Sequence, residues 1–295
     1  FLAPGISPPL QVREWGARSN IIMAIALLAT IFSIYRADVG KRLRMERELS
    51  RAVRNGEIEL HYQPQVHRDG AFTGVEALAR WRHPSGILLS PDAFIPLAEE
   101  SALINDIGLD VLRQACEMLA RWSRYEKTRH LRIAVNVSPI QLMDDDFTPA
   151  LTALIRKTGI NPALLELELT ETALSTGASQ IVQQMRAIES LGVTWALDDF
   201  GTGYSSLATL RTLPVRKLKI DRQFVRESTA QDSAQRLLGK IIEITQVMQM
   251  SALAEGVETT AQRDLLVAMG CEHFQGYLFA HPMSDAMLHD WLLNR

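Results

Sequence analysis

Apolar residues follow one another almost without interruption from Ile21 to Tyr35, inside a stretch of 17 uncharged residues between Arg18 and Arg36. At about 1.5 Å per residue this predicts a helix of roughly 25 Å, the short edge of what spans a bilayer. Trp15 and Tyr35 stand where interfacial aromatics stand. The competing readings are a buried core helix and a secretory segment. A cleaved signal fits poorly, because a basic segment follows where a small-residue cleavage site would be needed. Arg36, Lys41, Arg42, Arg44, Arg47, Arg51 and Arg54 follow the run, against Arg13 and Arg18 before it. The positive-inside rule then puts everything C-terminal in the cytoplasm. Val39, Leu43, Leu49 and Val53 have rough helical spacing, equally suited to a signalling helix and to a solvated linker helix. The expected organisation is therefore an extracytoplasmic remnant at 1–18, a transmembrane helix at 19–35, a basic juxtamembrane or linker helix at 36–54, and a large domain at 55–295.

Beyond residue 55 the pattern changes to short β-rich runs separated by helical periods. The strand-like runs are Ile58–Val66, Gly74–Trp81, Arg132–Val137, Leu164–Leu169, Val193–Leu197, Arg216–Ile220, Ala252–Ala254 and Phe274–Phe279. Helical spacing marks Ile104–Tyr125, Gln180–Leu191, Ala234–Met250 and Ala261–Met269. Ser90-Pro91 and Asn161-Pro162 read as caps followed by a first-turn proline. Eight runs interleaved with helices predict an α/β fold, a modified TIM-type (β/α)8 barrel. The first two runs are joined by a turn too short for a helix, so the first strand is expected to be antiparallel. A doubly wound open sheet is the rival.

Composition narrows the chemistry. Charged residues at 22% and aromatics at 6% are those of a folded protein. Cys116 and Cys271 stand far apart, which excludes a disulfide framework or a cysteine zinc site. The net charge of −3 divides unevenly: residues 1–54 hold nine Lys/Arg and four Asp/Glu, and the remainder is acidic by eight. So acidic a domain is a poor binder of polymeric nucleic acid.

Acids and amides cluster where the apolar runs stop. Glu76, Asn136, Glu168, Glu171, Asp198, Asp199, Lys219, Asp221 and Glu255 all occupy such places. In a parallel barrel those ends open on one face, where barrel active sites lie. One such glutamate is explained by solvation. Six or more strand ends of this kind repel one another and are costly to desolvate unless cations neutralise them. Oxygen donors without His or Cys favour Mg²⁺ or Mn²⁺ over zinc. A bridging aspartate in the Asp198-Asp199 pair would let two ions roughly 3.5–4 Å apart assist in-line displacement at a phosphodiester. The seven histidines have no ligand spacing and read as structural or surface residues. Gly201-Thr202-Gly203 is a turn, or a mobile loop coupled to metal binding.

At these residues the chain resembles the EAL-domain cyclic di-GMP phosphodiesterases, over roughly 48–294. The motifs are Tyr62-Gln63-Pro64, Glu76-Ala77-Leu78 with Ala79-Arg80-Trp81, Asn136-Val137-Ser138 and Glu168-Leu169-Thr170-Glu171. Asp198-Asp199-Phe200-Gly201-Thr202-Gly203, Lys219-Ile220-Asp221, Glu255-Gly256-Val257-Glu258 and Gln275-Gly276-Tyr277 complete the series. The resemblance implies hydrolysis of cyclic di-GMP to linear pGpG with two Mg²⁺ or Mn²⁺ ions. It implies Glu76, Asn136, Glu168 and Asp198 as ligands of the first ion. Asp198 would be the bridge, with Asp199 and Glu255 on the second ion and Asp221 on that side. Lys219 would orient the water, making Lys219, Glu255 and Glu76 the catalytic residues. Gln63, Arg80 and Gln275 match substrate-contacting positions. Glu171 matches the residue anchoring the glycine-bearing loop, and Glu258 a supporting glutamate.

The same resemblance implies a homodimer held at the bacterial inner membrane, with the catalytic domain in the cytoplasm. Phe1 in place of a Met suggests a piece of a longer chain, with a periplasmic sensory domain upstream. The alternatives are a catalytically silent cyclic di-GMP receptor, signalling through its membrane helix or a partner, and a hydrolase of another phosphodiester. The intact acids favour the enzyme.

Overall fold

The computed structural model describes residues 10–175, 178–201 and 207–293; the side chains of 10–22, 24–26, 175, 178, 207 and 208 lie outside that description. Two compact units result, Phe1–Arg51 and Ala52–Arg295. The described residues of the first, 10–51, belong to the helix Leu10–Asn55. The span expected at 19–35 falls inside this helix, seven of its seventeen side chains lying outside the description. Among the described residues no helix is long and apolar enough to cross a membrane. Leu27, Leu28, Ile31, Phe32, Ile34 and Tyr35 are exposed on it, and the Arg36 guanidinium lies 5.9 Å from the Phe32 ring centre.

The second unit is built on β1 (Ile58–His67), β2 (Phe72–Arg82), β3 (Leu88–Leu89), β4 (Arg132–Asn136), β5 (Leu165–Thr170), β6 (Thr194–Phe200), β7 (Lys217–Ile220), β8 (Ser251–Ala254) and β9 (His273–Gln275). Their order is β1-β9-β8-β7-β6-β5-β4-β2-β3, and β1 also pairs with β2, so eight strands close into a barrel and β3 hangs on its edge. Closure excludes the open doubly wound sheet. Strands β4 to β9 and β2 run parallel, whereas β1 is antiparallel to both its neighbours. The reversed first strand follows from the short turn after His67, which leaves no chain for a crossover helix.

Strand alternation explains what the barrel encloses. In β5, Leu165, Leu167 and Leu169 face the helical layer, while Glu166 and Glu168 face the lumen with Thr170. In β7 the same alternation sends Leu218 and Ile220 outward and Lys217 and Lys219 inward. Parallel register aligns these tiers: Glu168 sits beside Asn136 and Ala196, and Lys219 beside Leu253. The usual barrel lumen is filled with branched aliphatic layers. Here buried charges occupy it.

Helix Ile104–Trp122 buries Ile107, Val111, Leu112, Ala115, Met118, Leu119 and Trp122 at helical spacing, as its sequence predicts. It stops at Trp122, short of the expected Tyr125. Asn161 caps the single turn Pro162–Leu164, accepting from Ala163 N at 3.1 Å. Helix Phe147–Thr158 was not legible: Pro149 and three threonines depress its intrinsic propensity. The last strand also needs correction. It ends at Gln275, and Gly276 turns the chain so close to Val257 that a Cβ there would lie 2.2 Å from its carbonyl oxygen.

Candidate active site

Lys219 is the centre of the site. Its side chain is fully buried, and its ammonium lies 2.7 Å from Glu168 Oε2, 2.9 Å from Glu255 Oε1, 3.0 Å from Asp198 Oδ2 and 3.4 Å from Glu76 Oε2. These groups come from β2, β5, β6, β7 and the residue after β8, so no local segment could form the cluster. Asn136, at the end of β4, donates through Nδ2 to Glu76 Oε1 at 2.7 Å. Asp199 N donates to Asp198 Oδ1 at 2.9 Å.

One ammonium does not balance these acids, and their proton affinities show it. Burial raises Glu168 well above the usual carboxylate range, with Glu76 and Asp198 adding to the rise against Lys219. Burial likewise raises Asp198 despite Lys219 and pushes Glu255 up to about 8. Asp199 is raised to about 6 by burial, then by Asp198 and Asp221. Glu76 goes the other way: burial is outweighed by Lys219 and by hydrogen bonds from Gln275 and Asn136. Lys219 stays firmly protonated, since the surrounding carboxylates overcome its own burial. The cup thus favours added positive charge, which protons or cations of higher charge could supply.

The donor set fits divalent metal. One oxygen each from Glu76, Glu168 and Asp198 lie within 4.8 Å of one another, as do one each from Asp198, Asp199 and Glu255. Asp198 belongs to both groups. Glu168 Oε1 is buried and, among the described residues, meets no hydrogen-bond donor, which leaves it for a proton or a cation. The pairing register between β6 and β7 shifts after Leu197, and Asp199 takes φ 54°, a conformation uncommon outside glycine. That bulge turns two successive aspartates toward one site.

The remaining expected residues lie around this centre. Gln275 is buried and donates through Nε2 to Glu76 Oε2 at 2.6 Å and to Gln63 Oε1 at 3.1 Å. Gln63 in turn donates to the Ala280 carbonyl. Arg80 is half-buried and donates to the Ala79 carbonyl. Glu171 accepts from Gly201 N at 2.8 Å, directly after the aspartate pair. Gly201 has φ +98°, and a Cβ there would lie 2.5 Å from the Phe224 ring. Residues 202–206 of the glycine-bearing loop lie outside the description. Asp221 belongs to neither three-residue group but lines one cleft with Asp199; its Oδ1 caps helix Arg222–Ser228, accepting from Gln223 N at 2.8 Å. Glu258 lines a cleft of about 620 Å³ with Asp199, Asp221, Arg222, Arg226 and Gln262. A second, apolar cleft of about 420 Å³ adjoins Asn136, lined by Leu78, Ile95, Ile107 and Val111.

Comparison with known proteins now decides the family. The family described as EAL domain matches residues 46–282. The chain belongs to the EAL-domain family. It is 40% identical over 253 residues to cyclic di-GMP phosphodiesterase NbdA of Pseudomonas aeruginosa, covering 85% of this chain and 32% of that protein. It is 33% identical over 264 residues to cyclic di-GMP phosphodiesterase PdeR of Escherichia coli, covering 88% and 40%. Among solved structures, the PaMucR phosphodiesterase in complex with c-di-GMP superposes with a TM-score of 0.78 at 36% identity, covering 82% of this chain and 98% of that one. The chain spans about a third of the length of the first curated relatives it matches.

Three residues of this EAL domain escaped sequence reasoning: Gln65, Glu166 and Lys217. Each lies two positions from a residue that was singled out (Gln63, Glu168 and Lys219), so strand alternation carries it into the same lumen. That spacing was the available signal.

Proposed function

We propose that this EAL domain hydrolyses cyclic di-GMP to linear pGpG in a metal-dependent reaction. The observation that carries the reading is one buried ammonium among four carboxylates, with Asp198 common to two ligand groups. Glu76, Asn136, Glu168 and Asp198 would hold one Mg²⁺ or Mn²⁺, and Asp198, Asp199 and Glu255 a second. When bound, the two ions supply Lewis-acid polarisation of the phosphodiester and the positive charge the cup lacks. Lys219 donates a hydrogen bond that aims the attacking water. The water oxygen forms the new bond to phosphorus in line with the P–O3′ bond that breaks, leaving a 5′-phosphate and a 3′-hydroxyl. Arg222 and Arg226 offer cationic partners to phosphate in the polar cleft, and Leu78 and Ile107 an apolar wall to a base.

The intact acid set supports turnover over silent binding. Incubating the purified chain with cyclic di-GMP and Mg²⁺ or Mn²⁺, then separating products by chromatography, tests this. Appearance of pGpG is expected; binding without pGpG at any metal concentration would leave a receptor.

For the whole protein we propose attachment to the bacterial inner membrane through 19–35, with the EAL domain in the cytoplasm and acting as a homodimer. Support for the anchor is the uncharged run and its basic flank. The dimer rests on family resemblance.

A further inference from the structure

Beneath the acids, the lumen holds a second set of buried polar groups. Lys217 Nζ pairs with Glu166 Oε1 at 2.5 Å and reaches Gln65 Oε1 at 3.4 Å. Gln65 Nε2 donates to Gln275 Oε1 at 3.0 Å. Gln275 Nε2 then donates to Glu76 Oε2 at 2.6 Å and to Gln63 Oε1 at 3.1 Å. Lys217, Glu166, Gln65, Gln275 and Glu76 are all at least nine-tenths buried, so no water competes freely for these bonds.

The chain of contacts has a direction. An ammonium offers donors and no acceptor, whereas an amide offers one end of each kind. Facing Lys217, Gln65 must present its oxygen and turn its N–H₂ away. Gln275 then meets a donor, presents its own oxygen to Gln65, and has its N–H₂ left for Glu76. Reversing either amide sets donor against donor at Lys217, or carbonyl against carboxylate at Glu76. Buried networks of this kind keep one arrangement because partly satisfied alternatives are costly.

We propose that Lys217, held by Glu166, is a positioning residue: it acts through Gln65 and Gln275 to fix the orientation of the Glu76 carboxylate. The lower tier is thereby the reference against which a metal ligand is set. This rests on the reading of Glu76 as a ligand, and its test is chosen to fail separately from that reading. Outer partners of metal ligands typically govern metal affinity by about ten- to a hundredfold.

Titration of the full chain with Mn²⁺, followed by the electron paramagnetic resonance of the free ion and with no dinucleotide present, reads the effect directly. Gln65→Met and Lys217→Met should each weaken Mn²⁺ binding about tenfold. Gln65→Met should add nothing once Gln275→Met has been made, because both break the same relay. Thermal unfolding is recorded alongside. Should Gln65→Met lose its cooperative transition, Gln65→Asn keeps the amide but withdraws it from Gln275 and carries the same expectation. Unchanged Mn²⁺ affinity in folded variants, or penalties at Gln65 and Gln275 that simply add, overturns the relay. Wild-type chain that binds Mn²⁺ yet yields no pGpG refutes the proposed reaction and leaves the relay standing. Wild-type chain that takes up no Mn²⁺ refutes the ligand reading, and the relay with it.

Discussion

The two buried lysines of the barrel lumen stand two residues apart on one strand and live in opposite electrostatic regimes. Among the described residues Lys217 has one acid partner, Glu166, and a neutral amide beside it. Lys219 has four carboxylates around it and a fifth, Asp199, close by. The lower tier is matched in charge and its amides are joined end to end. The upper tier carries excess negative charge, raised acid pKa values and a buried oxygen that meets no donor among the described residues. Burial is common to both, so burial does not distinguish structural from chemical roles. The imbalance of charge does, because a cluster of acids sharing one cation is stable only while protons or metal ions make up the difference.

The largest expected effect falls on the upper tier. Glu76→Ala removes a ligand from the first group and should cut turnover of cyclic di-GMP by about two orders of magnitude or more, measured as pGpG release. Normal turnover would show that the cup works without it. Next come two acid-to-amide changes with opposite consequences for stability in metal-free protein. Glu166→Gln strands a buried ammonium and should destabilise by about 3 kcal/mol in denaturant titration. Glu255→Gln removes surplus charge and should cost nothing, or stabilise slightly, above pH 8. Equal losses from the two would erase the contrast between tiers.

The smallest effect is a pH slope. In the folded chain Asp199 titrates at about 6 and Glu255 at about 8, against ordinary values of 3.8 and 4.5. Folded protein therefore holds protons that unfolded protein releases. Their stabilisation is complete below about pH 4 and is lost as pH rises to about 8. Thermal midpoints of metal-free protein should fall across that window, and saturating Mg²⁺ should flatten the slope by replacing the protons. A metal-free midpoint that climbs from pH 5 to 8 would contradict the acid environment described here.

Much of this was legible in the chain because strand ends announce themselves. Leu167-Glu168-Leu169 and Leu218-Lys219-Ile220 alternate so strictly that each inward residue is readable, and the short turn after His67 fixes the reversed first strand. Asp221 has a second role that spacing alone does not reveal: it caps the helix that follows it, and an aspartate ahead of a helix satisfies backbone N–H groups as readily as it binds metal. The end of β9 was hidden because Tyr277, Leu278 and Phe279 continue the β-like pattern, while the turn depends on contact between Gly276 and the distant Val257. Lys217 and Glu166 stand two positions before Lys219 and Glu168, so alternation gives their side of the strand, but their pairing with each other waits on closure of the barrel. Pairing over distances of that kind leaves no local trace.

The barrel is sewn shut by the two extremities of its own domain. Gln65 meets Gln275 across 210 positions of chain and Gln63 meets Gln275 across 212, while Tyr62 bridges to Met283 and the Phe72 ring packs against Trp291. Contacts that distant are the slowest to form, since the whole intervening loop must be ordered first. A ribosome-bound chain lacking its last strand has already made Glu76, Glu168, Asp198 and Lys219, yet has no Gln275 to steady the first of them. Completion of the fold and competence of the site therefore arrive in a single event, once β9 is in place.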